Sequence, residues 1–184
     1  QPETCGAPGR AQYYDLRVED TERPTAAWRI QYPAAGHEYL RGYIAFDWNS
    51  MDGWFEEELE VFVHPHDPRK RIDIAPSGAE LEVVVDGTTV AHSRRPLLLF
   101  ETGLPVRYYL PKLDCRLDLL QPSDTLTYCP YKGEARYYCL SVGGHTERDI
   151  AWYYRFPTLE ASAVATMLAF YQERVEMYVD GGRV

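Results

Sequence analysis

The densest cluster of reactive side chains runs Cys129-Pro130-Tyr131-Lys132-Gly133-Glu134-Ala135-Arg136-Tyr137-Tyr138. A turn built on Pro and Gly holds a thiol and an ammonium near one another. An adjacent ammonium favours the thiolate, which would make Cys129 a nucleophile; alternatively Lys132 grips an anionic ligand group. The structural alternative is a buried thiol beside a surface lysine. Upstream, Glu101 ends the apolar run Pro96-Leu97-Leu98-Leu99-Phe100, just before the Gly103 turn. A carboxylate leaving a core-directed stretch must be paired or functional. Arg95 or Arg107 would be its partner, and general acid/base work is the functional reading.

Tyrosine is in excess, with 15 Tyr against 6 Phe and 4 Trp. Four adjacent pairs occur: Tyr13-Tyr14, Tyr108-Tyr109, Tyr137-Tyr138 and Tyr153-Tyr154. On a strand, one member of each pair faces inward and the other outward. Inward phenols need polar partners, and several facing one cavity make an aromatic pocket with hydroxyl donors, suited to a flat or polar ligand. The plainer reading is that tyrosines serve as amphipathic strand residues.

The elements that must position these groups are mostly strands. Leu81–Val85 and Thr88–Ala91 flank Asp86-Gly87, a strong hairpin signal. Further strands are expected at 106–110, 116–120, 125–128, 135–142, 148–156 and 173–179, segments rich in Tyr, Val and Thr. Residues 158–169 read as a helix capped by Thr158, with Leu159, Ala163, Val164, Met167 and Leu168 on one face; residues 34–45 echo it.

The chain has 184 residues and a formal net charge of −9. That balance argues against a nucleic-acid partner and against anionic membranes. No apolar run is long enough to span a bilayer, and Gln1–Cys5 has no leader-like pattern. We expect an acidic cytoplasmic protein that can bury its own core. The four cysteines form no Cys-x-x-Cys pair, so free thiols are expected. His64 and His66 could chelate a metal from one strand face, or simply sit in a polar loop before Arg69-Lys70-Arg71. No phosphate-loop, dinucleotide, nucleophile-elbow or metalloprotease motif occurs, so neither cofactor nor metal is expected.

Sliding the chain by 124 positions superposes Cys5 on Cys129, Tyr13-Tyr14 on Tyr137-Tyr138, Ala27-Trp28 on Ala151-Trp152, Pro33 on Pro157 and Ala45-Phe46 on Ala169-Phe170. This reads as an internal repeat. Residues 1–46 form a partial first unit, 47–79 a connector, and 80–184 a complete second unit. Ala7-Pro8 stands where the second copy has Tyr131-Lys132, so a site is expected in the second copy alone. The acidic run Phe55–Glu60 within the connector reads as a solvated face or a docking edge.

The second copy carries V-D-G-x-x-V-A-x-S-R-R-P-x-L-L-x-E-x-G-L-P-x-R-Y-Y from Val85, then D-L-L-x-P-S-D-T, C-P-Y-K-G-x-A-x-Y-Y, D-x-A-W-x-Y-x-x-P and A-F-Y-x-x-R-V-x-x-Y-V-D-G to Gly181. In these motifs it resembles the domain-of-unknown-function family numbered 427. The resemblance implies a mainly β fold of tent-like or small sandwich-like units and a tandem form whose first unit is truncated; the apolar patterning of 158–169 and 34–45 adds the expectation of one helix per unit. It implies no secure activity. A nucleotidyltransferase label has been attached to the family, but the Gly-Ser loop and Asp-x-Asp pair that such enzymes need are absent here. Motif by motif, the family-like positions are Arg95, Glu101, Tyr109, Cys129, Lys132, Gly133 and Tyr138.

The resulting expectation is a small-molecule enzyme with a tyrosine-rich pocket in the second unit. Glu101, Lys132 and Cys129 would be catalytic; Arg95, Tyr109, Tyr138 and Trp152 would bind ligand. The alternatives are a non-catalytic metabolite-binding module and an interaction protein, a homo-oligomer among them, pairing through exposed strand edges.

Overall fold

The computed structural model describes residues 8–184. Cys5 and Ala7, which the 124-residue offset sets against Cys129 and Tyr131, lie outside the described residues. The chain divides into two compact units, residues 1–60 and 61–184. Both are mainly β. No helix among the described residues is long and apolar enough to cross a membrane.

In the first unit, β1 (Gly9–Val18), β2 (Thr21–Pro33) and β3 (Ala45–Phe46) form an antiparallel sheet in that order. A short ribbon follows, β4 (Phe55–Glu56) with β5 (Leu59–Glu60). Trp48 and Trp54 stack with centroids 4.7 Å apart, and the Trp54 indole donates to the Trp48 carbonyl at 3.0 Å.

The second unit contains β6 (Ile72–Pro76), β7 (Leu81–Val85), β8 (Thr88–Ser93), β9 (Leu97–Glu101), β10 (Arg107–Pro111), β11 (Leu120–Cys129), β12 (Gly133–Val142), β13 (His145–Pro157), β14 (Met167–Phe170), β15 (Glu176–Val179) and β16 (Gly182–Arg183). Seven of these make one antiparallel sheet in the order β11-β12-β13-β14-β10-β9-β6. The others make a second sheet, β16-β15-β7-β8. The Asp86-Gly87 turn joins β7 to β8 with φ of 49° and 71°, as a two-residue hairpin with the right twist demands.

Strand alternation divides the large sheet into two apolar faces. Leu110, Leu140, Ile150, Leu168 and Phe170 pack with Leu81, Val83, Val90 and Met177 of the small sheet. On the opposite face Leu99, Tyr109, Ala135, Trp152, Tyr154 and Ala169 gather with Ala161 and Val164. The tyrosine pairs are split by the same rule. Tyr108, Tyr138 and Tyr153 lie with the first cluster, and Tyr109, Tyr137 and Tyr154 with the second.

Three expectations are corrected. Residues 158–169 are not a helix: only Ser162–Val164 makes a single 3-10 turn, and Glu38–Leu40 does the same in the first unit. Thr166, at φ 63°, breaks any helical run, and the next four residues become β14 between β13 and β10. Leu168, Ala169 and Phe170 are all buried because a central strand is covered on both faces. Residues 117–119 form a 3-10 turn rather than a strand. Residues 72–76, within the stretch read as connector, form β6 on β9, and residues 61–71 also fall within the second unit.

The hairpins β1–β2 and β12–β13 share one ladder at a constant offset of 124. Gly9 faces Pro33 as Gly133 faces Pro157, Tyr13 faces Trp28 as Tyr137 faces Trp152, and Val18 faces Thr21 as Val142 faces His145. Register shifts fall at matching places, Tyr14/Leu16 and Tyr138/Leu140. Left-handed backbone recurs at Thr25 and Asp149, and at Gly42 and Thr166. Ala27 and Trp28 pair with Phe46 and Ala45 as Ala151 and Trp152 pair with Phe170 and Ala169.

The strand at 167–170 makes a testable distinction. Leu159 is 91% exposed and Leu168 is fully buried. Leu168→Ala should cost about 2–5 kcal/mol in urea unfolding, and Leu159→Ser less than about 0.5 kcal/mol. A single helix presenting both side chains to the core would make both substitutions costly.

Candidate functional site

Glu101 sits at the end of β9, where the apolar run stops. Lys132 sits in the turn between β11 and β12. That turn needs Gly133: its φ is 97°, and a Cβ there would lie 2.7 Å from the Phe156 carbonyl oxygen. The backbone of Lys132 is held on both sides, its N–H by the Cys129 carbonyl at 3.3 Å and its own carbonyl by the Thr158 N–H at 3.2 Å. Thr158, expected as a helix cap, donates its hydroxyl to the Tyr131 carbonyl at 2.7 Å and so fastens the turn.

From these positions the Lys132 ammonium and the Glu101 carboxylate form a direct ion pair. Their side chains are 13% and 7% exposed. The partner of Glu101 is therefore neither Arg95 nor Arg107. Arg107 makes a two-pronged bond to Glu173, at 2.7 and 3.0 Å. Arg95 does the same to Asp114, at 3.0 and 3.2 Å, and this holds the Asp114 carboxyl below its ordinary range.

The ion pair borders a cavity of about 190 Å³ on the second face of the large sheet. Leu99, Leu104 and Pro105 supply apolar wall, and Arg107, Tyr109, Tyr137, Trp152, Tyr154 and Tyr171 complete it. Trp152 is central. Its indole N–H donates to the Tyr109 hydroxyl at 3.2 Å, its ring lies 4.6 Å from that of Tyr171, and the Arg107 guanidinium lies over it at 5.7 Å. Tyr137 shares a 2.7 Å hydrogen bond with Thr127. The Tyr154 hydroxyl has no hydrogen-bond partner among the described residues.

Burial keeps these phenols protonated. It raises Tyr109 and Tyr154 well above the ordinary phenol range, and pushes Tyr171 up to about 12, with Tyr137 adding to the shift. Such groups donate hydrogen bonds and do not act as bases at neutral pH. Glu101 is the carboxylate among the cavity-lining residues.

The structure thus brings together Glu101, Lys132, Tyr109 and Trp152 from the residues marked in the sequence. It does not bring in Arg95, which sits on the surface against Asp114. Tyr138 is also outside, because alternation sends it to the opposite face, where its ring lies 5.3 Å from that of Tyr153 and Lys112 stands over both. Tyr137, its neighbour, takes the place expected for it. Cys129 is half-buried and packs against the pocket-side cluster without lining the cavity. Cys115, Cys129 and Cys139 are free thiols. Arg107, Tyr154 and Tyr171 escaped the sequence reading as cavity residues. The signal for Tyr154 was its pairing with Tyr153, which lacked only the choice of face. His64 and His66 flank the Tyr131 ring, His66 stacked on it at 5.0 Å. Among the described residues no group of three or more His, Cys, Asp and Glu is placed to hold a metal.

The model of the family described as Domain of unknown function (DUF427) matches residues 1–57 and 73–181. The chain belongs to this family. The second match begins inside β6, so that strand falls within the family domain. No curated protein matches the chain significantly. The family's description assigns no chemistry, and the functional reading rests on the cavity.

Phenolate absorbance followed through an alkaline titration tests the buried phenols. Tyr109, Tyr154 and Tyr171 are raised in the folded state, so the stability they confer is complete below about 10 and falls as pH rises past it. These phenols should ionise together with unfolding. Ionisation of every tyrosine in a still-folded protein would contradict the assignment.

Proposed function

We propose that this member of DUF427 is a cytoplasmic small-molecule enzyme, acting by general acid/base chemistry in the second unit. What supports the reading is the Glu101–Lys132 pair at the edge of a cavity whose phenols stay protonated. A ligand carbonyl oxygen would approach the Lys132 ammonium, which has three N–H donors and spends only part of them on Glu101. The Glu101 carboxylate then accepts a proton from the carbon beside that carbonyl. Lys132 and the Tyr154 hydroxyl stabilise the charge that develops on oxygen. The proton, or one exchanged from solvent, returns to the same carbon as the carbonyl re-forms, so no electrons are gained or lost. Arg107, held over Trp152, takes the orienting place that the sequence suggested for Arg95.

A second reading, a non-catalytic binding module, draws on one observation. The acid and the base are closed on each other, and an ion pair that never opens would line a binding site without turning anything over.

We also propose that residues 1–46 are the C-terminal half of a repeat unit and carry no active site. The shared ladder supports this, and Pro8 stands where Lys132 stands in the second unit.

Hydrogen–deuterium exchange at the carbons flanking the carbonyl of cyclohexanone, followed by NMR in heavy water with the full chain, tests both proposals. The wild type should accelerate exchange, and Glu101→Gln should lose about 10²–10⁴-fold while remaining folded. Trp152→Ala should abolish the acceleration and Trp28→Ala should leave it unchanged. Unaltered exchange in Glu101→Gln would sink the acid/base role. Cyclohexanone that binds and never exchanges would favour the binding module.

A further inference from the structure

We infer that the cavity takes an uncharged molecule the size of a single ring, carrying a carbonyl or hydroxyl oxygen as its polar group. This deepens the reading above and rests on the same cavity, but not on catalysis.

Size comes first. A cavity of about 150 Å³ holds one benzene, and sites for drug-sized ligands run about 300–1,000 Å³. At about 190 Å³ this cavity admits one ring with a small substituent. A nucleoside triphosphate could place no more than one ring in it.

Charge comes second. Two cations and one anion line the cavity, but each cation is already matched. Lys132 is bonded to Glu101, and Arg107 makes a two-pronged bond to Glu173 just outside the lining. An anionic ligand would have to displace a carboxylate from one of these pairs and then sit beside Glu101. A cationic ligand would face Lys132 and Arg107 with no unmatched carboxylate to receive it. In a site this buried, an uncompensated charge is heavily penalised. The net charge of −9 further disfavours anions at a distance.

Hydrogen bonding comes third. The Tyr154 hydroxyl is unpartnered, and the Tyr109 hydroxyl accepts from Trp152 while its own proton has no acceptor among the described residues. Both are held protonated by burial. The site therefore offers donors and asks for an acceptor oxygen. Trp152 and Tyr171 supply the aromatic wall for a flat ring, favourable in offset or tilted contact.

The test uses the full chain and five probes: benzamide, phenol, benzoate, benzylammonium and adenosine triphosphate. Binding is followed by ligand-observed NMR, and the site is identified by the shift of the Trp152 indole N–H, assigned with Trp152→Phe. Benzamide and phenol should bind and shift that signal. Benzoate and benzylammonium should bind roughly tenfold or more weakly than benzamide. The triphosphate should not displace benzamide. Tyr154→Phe should weaken benzamide by about fivefold, the worth of one hydrogen bond. The inference is overturned if benzoate or benzylammonium binds as tightly as benzamide, if the triphosphate displaces it, if Tyr154→Phe leaves its affinity unchanged, or if neither neutral probe moves the Trp152 signal. Benzamide binding with no cyclohexanone exchange would leave this inference standing and remove the acid/base reading. Exchange without the preference for neutral ligands would do the reverse.

Discussion

The Glu101–Lys132 ion pair ties together two parts of the large sheet that are not neighbours in it. Glu101 ends β9 and Lys132 precedes β12. In the large sheet these strands are separated by β13, β14 and β10. Flat strands spaced by about 4.8 Å would put β9 and β12 about 19 Å apart, beyond the combined reach of the two side chains. The pair therefore requires the end of β9 and the turn before β12 to approach across one face of the sheet, the face on which the tyrosines line the cavity. Removing one partner would leave a charge stranded in a site with little water, which is why such pairs are costly to break singly.

Alternation along the strands then decides the character of the two faces. The face toward the small sheet has an aliphatic centre in Leu110, Leu140, Ile150 and Leu168, with Tyr108, Tyr138 and Tyr153 packed against it. The cavity face is aromatic and polar, with Tyr109, Trp152 and Tyr154. Each split tyrosine pair supplies one ring to packing and one hydroxyl to the cavity. The tyrosine excess is thus accounted for within the second unit by three pairs serving two faces. The donors that result are fixed by burial in their neutral form, beside the one carboxylate that lines the cavity.

Much of this was legible in the residues, and the failures have identifiable causes. The Asp86-Gly87 hairpin could be read because a two-residue turn with positive φ has few sequence solutions. The splitting of tyrosine pairs could be read because the strand period is two. Which member faces the cavity could not, since it depends on the sheet partner; the sequence alone does not separate Tyr138 from Tyr137, which lines it. Glu101 was flagged by its place at the end of an apolar run, but its partner lies 31 residues away in a different turn. Arg95, nearer in sequence, was the more visible candidate and is committed to Asp114. The stretch 158–169 was read as helical because its apolar positions fit a helical face. A short central strand, buried on both sides at Met167–Phe170, leaves the same apolar signature.

The dependence of the second unit on its ion pair is most directly measured by a double-mutant cycle on folding stability. Lys132→Met, Glu101→Gln and the double substitution would be compared with the wild type in urea unfolding. Lys132→Met alone should cost about 3–5 kcal/mol, because it strands the Glu101 carboxylate. The double substitution should cost clearly less than the sum of the two single changes, with a coupling of at least about 1 kcal/mol. Additive effects would mean that the two groups do not meet in the folded protein, and would contradict the ion pair, its place at the cavity and the chemistry proposed for it.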